Sequence, residues 1–153
     1  MAAEKKVVWS NFAFPNGKFS CDMPQGTVYE QKNHANGSST VLWKKELQRM
    51  VVTAGFTDTS SIPDWQLNPE AGLTEVQQFY ITSLDKSVTV VSQSSTMIQG
   101  HPAREFVVNV KGQLTVHHHY IYANSRLIEM QIAYPLNNEP PDAKRAFQTL
   151  VIE

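Results

Sequence analysis

Three consecutive histidines, His117-His118-His119, are the residues of this chain best placed by type and spacing to do chemistry. In an extended strand His117 and His119 project from one face and His118 from the other. The outer two could therefore offer a pair of imidazoles to Zn²⁺ or Cu²⁺. A metal centre needs a third or fourth ligand, and His34, His101, Glu105 and Glu129 could join only if folding brings them near. The competing reading places the pair on a polar sheet face, or under a helix with its nitrogens hydrogen-bonded.

Cys21, with Asp22 and a histidine, is a second candidate, as a nucleophile. Its neighbours argue against that role. Phe19, Cys21 and Met23 alternate with Ser20 and Asp22, which puts the thiol on the apolar face of a strand as a small buried hydrophobe. Reactive cysteines occupy electropositive, partly exposed places, usually at helix N-termini. Arg104 and Glu105 are strand neighbours and face opposite sides. Arg104 could take a carboxylate or phosphate, and a structural bridge is the favoured alternative. Trp43 and Trp65 stand in polar, loop-rich surroundings; core packing is the first reading for them, a ligand or partner surface the second. No glycine-rich phosphate loop, His-Glu-x-x-His, Gly-x-Ser-x-Gly or dinucleotide fingerprint occurs. No catalytic residue is assigned, and no cofactor is expected.

These residues must be held by strands for the most part. Asn16-Gly17 marks a turn before the Phe19–Met23 alternation, which Pro24 closes. A further strand is expected over Thr27–Gln31, with a turn at Asn36-Gly37. The stretch from Thr40 to Phe56 is read as two strands joined near Gln48-Arg49, with a short amphipathic helix over Val41–Met50 as the alternative. Asn68-Pro69-Glu70 carries a helix start: an N-cap, a proline at the first helical position and an acid beside the positive end. Leu73, Val76, Tyr80 and Leu84, widened by Phe79, form the apolar stripe of that helix, which is expected to end near Lys86. Val88–Val91, Arg104–Val110, Leu114–Ala123 and Leu127–Tyr134 read as strands whose short connections imply antiparallel pairing. Pro140-Pro141-Asp142 opens a last helix with Ala143, Ala146, Phe147 and Leu150 on one face. The expected class is α+β, one antiparallel sheet flanked by helices in an α/β/α sandwich, with residues 1–153 forming a single domain.

The chain's 153 residues are enough to bury a core without a metal or disulfide. Thirteen Lys+Arg against fourteen Asp+Glu leave a net charge of −1 with no basic run beyond two residues, which argues against a nucleic-acid partner. A single cysteine excludes an intrachain disulfide. No apolar run approaches the roughly 20 residues needed to span a bilayer. Met1-Ala2-Ala3-Glu4-Lys5-Lys6 does not lead into a signal-peptide core, because Ser10 and Asn11 interrupt the apolar stretch that follows. An apolar leader upstream of Ala2 would make the protein exported; Met1 as the natural start would make it cytoplasmic.

Four pieces resemble a known family. They are Phe14-Pro15-Asn16-Gly17-Lys18-Phe19-Ser20 leading to Met23-Pro24, Gly100-His101-Pro102-Ala103-Arg104-Glu105-Phe106, Tyr120-Ile121-Tyr122-Ala123-Asn124-Ser125-Arg126-Leu127-Ile128, and the closing Ala143-Lys144-Arg145-Ala146-Phe147. Together they are similar to the small bacterial and photosynthetic domains of the PsbP/Mog1-like superfamily, many of them exported proteins or lipoproteins. The resemblance implies a binding or assembly factor rather than an enzyme, and export. The leading expectation is a non-enzymatic module that presents one sheet face, or a groove between sheet and helix, to a protein partner. The runner-up is a metal-binding protein or metal-dependent enzyme centred on His117 and His119, and a small-molecule carrier using the aromatic set is third.

Overall fold

The computed structural model describes residues 6–84 and 87–153; Met1–Lys5 and Lys86, where the long helix is expected to end, lie outside them. The first strands are β1 (Trp9–Ala13), β2 (Phe19–Pro24), β3 (Val28–Asn33), β4 (Ser39–Glu46) and β5 (Val51–Asp58). Two helices follow, α1 (Pro63–Leu67) and α2 (Pro69–Ser83), and then strands β6 (Val88–Ile98), β7 (His101–Val110), β8 (Leu114–Ala123) and β9 (Arg126–Pro135). A four-residue helix α3 (Arg145–Gln148) and a short strand β10 (Val151–Ile152) end the chain.

Seven strands form one antiparallel sheet in the order β3-β4-β5-β9-β8-β7-β6, and β1-β2-β10 form a second, smaller sheet. Tight hairpins set the register of the large sheet. Asn124 and Ser125, both with φ near +60° (53° and 59°), make the two-residue turn between β8 and β9. Gln99 and Gly100, at φ 50° and 81°, do the same between β6 and β7. Left-handed backbone at both turn positions, a type I′ arrangement, matches the twist of the flanking strands.

Two cores lie on opposite faces of the large sheet. On one face Val52, Ala54 and Phe56 of β5 and Ile128, Met130 and Ile132 of β9 meet Phe19, Cys21 and Met23 of β2. Phe14 stacks on Phe19 at 4.3 Å, and Phe19 meets Phe56 edge-on at 6.3 Å. On the other face α2 lies over β7 and β8, and Leu73 packs with Phe106, Val108, Val116, Tyr120 and Leu127.

The expected α/β/α sandwich is corrected by this arrangement. Ten strands and three helices are present among the described residues, and a three-stranded sheet with a single helical turn replaces the second helical layer. The physical reason is local. Pro140 to Lys144 runs through turns, no side chain caps the N-terminus of α3, and helix persists only over Arg145–Gln148. Thr149 then ties that turn to the small sheet: its hydroxyl accepts from the Asp22 amide at 2.8 Å. The strand at Trp9–Ala13, which pairs along β2, has no counterpart in the sequence expectation. Strand β6 runs on to Ile98, well past the expected Val91, because its polar second half is an exposed sheet edge that shows no apolar alternation.

The helix start is as read: the Asn68 side chain accepts from the Ala71 amide at 3.2 Å, with Pro69 at the first helical position. Leu73 is buried, and Val76, Tyr80 and Leu84 pack against the second core. Phe79 departs from the expected stripe: it is 74% exposed. No helix among the described residues is long and apolar enough to cross a membrane.

Candidate functional site

The two faces of β8 give the histidines different surroundings. His117 and His119 lie on the face of the larger core, where His117 sits opposite Val107 and Ile132, and His119 opposite Glu105 and Met130. His117 Nε2 is 2.7 Å from the Tyr134 hydroxyl. His119 stacks on Phe147 with ring centroids 4.0 Å apart, and its Nε2 lies 3.9 Å from the Glu105 carboxylate. Burial is the main cause holding both imidazoles below their ordinary pKa, His119 at about 4. Among the described residues no group of three His, Cys, Asp or Glu side chains gathers in metal-ligand geometry. The pair shares a face as expected, already engaged with an aromatic hydroxyl and a phenyl ring.

His118 points to the opposite face, beneath α2. Its ring is 1% exposed and stacks on Phe106 at 4.9 Å, with Tyr80 at 4.4 Å and Tyr120 at 4.3 Å. Neither ring nitrogen has a hydrogen-bond partner. Burial pushes the imidazole down to about 3, so it is neutral. Its Nε2 lies 4.0 Å from a carboxylate oxygen of Glu129.

Glu129 occupies the middle of β9, paired across to Gly55 on one side and Tyr120 on the other. A Cβ at Gly55 would strike the Val41 carbonyl and come within 2.8 Å of the Leu42 backbone, so the neighbouring strand can approach this closely only beside glycine. The Glu129 side chain is 23% exposed and sits at the floor of a groove of about 460 Å³ between α2 and the bare β3-β4-β5-β9 half of the sheet. Desolvation raises its carboxyl to about 7, against the opposing pull of Lys32 at the groove's edge. Tyr80 is pushed up to about 12, by burial first and by the Glu129 charge second, and Tyr120 rises for the same reasons.

The remaining floor is polar. His34 Nε2 lies 2.7 Å from the Thr40 hydroxyl, which lies 2.6 Å from that of Thr57. The helical wall is apolar: Trp65, Val76, Phe79 and Tyr80. Trp65 stacks on Tyr122 at 5.4 Å and lines the groove as well, so it takes part in both the packing and the surface readings. Trp43 packs among Phe12, Phe14 and Tyr29 on the other face of the sheet, away from the groove. Arg104 donates to the Glu70 carboxylate at 2.9 Å and to the Thr74 hydroxyl at 2.8 Å, pinning α2 over β7. Its fork is thus committed to holding the groove's wall. Cys21 is fully buried in the larger core, and desolvation raises its thiol to about 12, leaving a thiol rather than a nucleophilic thiolate at neutral pH.

The sequence places Glu129 only among possible metal ligands, and it offers a groove between sheet and helix without saying which residues line it. Leu127, Glu129, Gln131 and Ala133 alternate with the buried Ile128, Met130 and Ile132, which reads as an ordinary solvent-facing strand edge. Nothing in that pattern signals that α2 roofs one end of the face and leaves the other open.

No family model matches the chain, and no curated protein does. Among solved structures the chain is similar to PA94 from Pseudomonas aeruginosa, a protein of unknown function described as a conjectural regulator. The TM-score is 0.55 at 15% identity, over 95% of this chain and 97% of that one. The likeness concerns the fold alone.

Proposed function

We propose that this protein is a non-enzymatic binding or assembly module that receives a segment of a protein partner in the groove between α2 and the large sheet. One observation carries the reading: α2 covers only the β7-β8 part of its sheet face, and the rest stays open beside a rim of exposed apolar side chains. Phe79 is 74% exposed and Leu67 82% exposed, each on a helix bordering the groove or the cleft next to it. Large apolar groups left exposed together beside a concave surface mark recognition sites more often than isolated exposed residues do. The segments that resemble PsbP/Mog1-like domains support the same reading, because members of that superfamily are described as binding and assembly factors.

The test is capture of partners by the tagged protein from its source organism, with identification by mass spectrometry. A single stoichiometric partner that resists moderate salt is expected. Its loss from a Phe79→Ser/Thr57→Arg variant that melts like the parent would assign it to the groove. Retention by that variant moves the partner elsewhere. Turnover of any substrate that a single-residue change abolishes would overturn the non-enzymatic reading.

A further inference from the structure

The floor of the groove holds a carboxylate that closes no ion pair with a lysine or arginine among the described residues. Among the described residues Glu129 accepts no hydrogen bond and closes no ion pair with Lys or Arg; His118 Nε2 lies 4.0 Å away, and Lys32 acts on the carboxylate from beyond ion-pair distance. That imidazole is sealed behind the carboxylate and is held neutral by burial, so it cannot supply the charge. Arg104, in the next strand but one, is engaged with Glu70 and Thr74. Lys32 acts on Glu129 only from the groove's edge. A carboxylate partly withdrawn from water gains from a cation or hydrogen-bond donors, and Glu129, 23% exposed, is open to the groove. Two aromatic residues, Tyr80 and Tyr120, line the same groove.

Resting on the proposed binding role of this groove, we propose that its occupant carries a primary ammonium group, a lysine side chain of the partner's bound segment, which pairs with Glu129. A carboxylate-bearing occupant would add like charge beside Glu129 in a poorly hydrated site. A purely apolar one would leave Glu129 without a partner. A flexible aliphatic stem ending in a compact ammonium fits an apolar wall of Val76, Phe79 and Tyr80 above a single half-buried acid. Pairing requires the ionised carboxylate, so binding should strengthen as Glu129 loses its proton. The other groups facing Glu129 are Lys32 and His34 from the β3 side, His118 and Tyr120 from β8, and Tyr80 from α2.

The experiment is an NMR titration of the whole protein with n-hexylamine, n-hexanol and hexanoate, following the amides of Gly55, Tyr120 and Glu129. At pH 8 hexylammonium is expected to bind about tenfold more tightly than hexanol, with hexanoate weakest. That advantage should shrink at pH 5.5 and vanish in Glu129→Gln. A His34→Asn background removes the other imidazole at the groove's mouth and should leave the pH dependence in place. The pH series on the unaltered chain repeats the test if Glu129→Gln does not fold. Equal affinities for hexylamine and hexanol, or an unchanged amine affinity in Glu129→Gln, would overturn the ammonium assignment while leaving the groove as a binding site. Failure of all three probes to shift groove resonances would overturn the groove reading as well.

Discussion

The two faces of the large sheet are built from the same strands and finished in different ways. One face is closed over almost all of β5 and β9 by the small sheet, with Phe19 in contact with both Phe14 and Phe56, and with Met130 and Ile132 at 1% exposure. The other is closed only where α2 crosses β7 and β8; beyond it lie threonines, Gln131 and the carboxylate of Glu129. A face sealed by apolar contact contributes stability. A face left half open, with Glu129 closing no ion pair with a basic side chain among the described residues, gives some of that stability up at the place where a partner could restore it. Stability and recognition are thus divided between the two sides of one sheet.

Substitutions should separate the faces by size and sign. The largest effect is expected from Phe19→Ala on the closed face, a loss of about 3–5 kcal/mol in urea unfolding, because the surrounding rings cannot collapse into the space. A loss below about 1 kcal/mol would mean that this core is loosely packed. On the open face His118→Phe should act in the opposite direction. It replaces two unpartnered buried nitrogens with carbon in an aromatic cage, and a gain of about 1–3 kcal/mol is expected from the same measurement. Destabilisation instead would show that a bound water or proton satisfies the ring.

The pH dependence sharpens the contrast further. His118 and His119 have pKa values depressed from 6.5 to about 3 and about 4, so their neutral forms support the fold fully above pH 6.5. That support is lost as pH falls from 6.5 through those folded-state values. Glu129, raised from 4.5 to about 7, has the opposite sign: its contribution is complete below pH 4.5 and is lost as pH rises through 7. Glu129→Gln should therefore melt higher than the parent at pH 8, with the difference closing toward pH 4.5. A constant difference across that range would place the Glu129 carboxyl in an ordinary aqueous setting.

Smaller effects should follow at the helix. Arg104→Ala removes a half-exposed ion pair and a hydrogen bond to Thr74, and about 1 kcal/mol is expected, together with faster amide exchange in α2. Phe79→Ser should change stability least, within about 0.5 kcal/mol, while weakening partner capture. A large loss of stability there would make Phe79 a packing residue after all.

Much of the framework is legible in the residues. The alternation of Phe19, Cys21 and Met23 and of Ile128, Met130 and Ile132 marks half-buried strands, and all six are buried. Asn68-Pro69 starts α2 where its capping chemistry says it should. Less legible are the elements whose stability comes from pairing rather than from their own pattern. Trp9–Ala13 and Val151–Ile152 are strands only because β2 lies between them. The closing segment has helix-like spacing at Ala143, Ala146, Phe147 and Leu150, yet much of it runs in turns, and Arg145 and Thr149 tie it to Asp22 of β2.

The candidate site shows the same division. Sequence by itself determined that His118 faces away from His117 and His119, because side chains alternate along any strand. It also determined that Cys21 lies with Phe19 and Met23, and that Arg104 and Glu105 part to opposite sides. Which face each set would meet was decided by tertiary structure alone. Strand alternation is a local property of covalent geometry. Whether a side chain then lies under a helix, under a second sheet or in an open groove depends on where distant segments dock, and Glu129 became a half-buried acid at the floor of a groove only when α2 packed beside β3–β5.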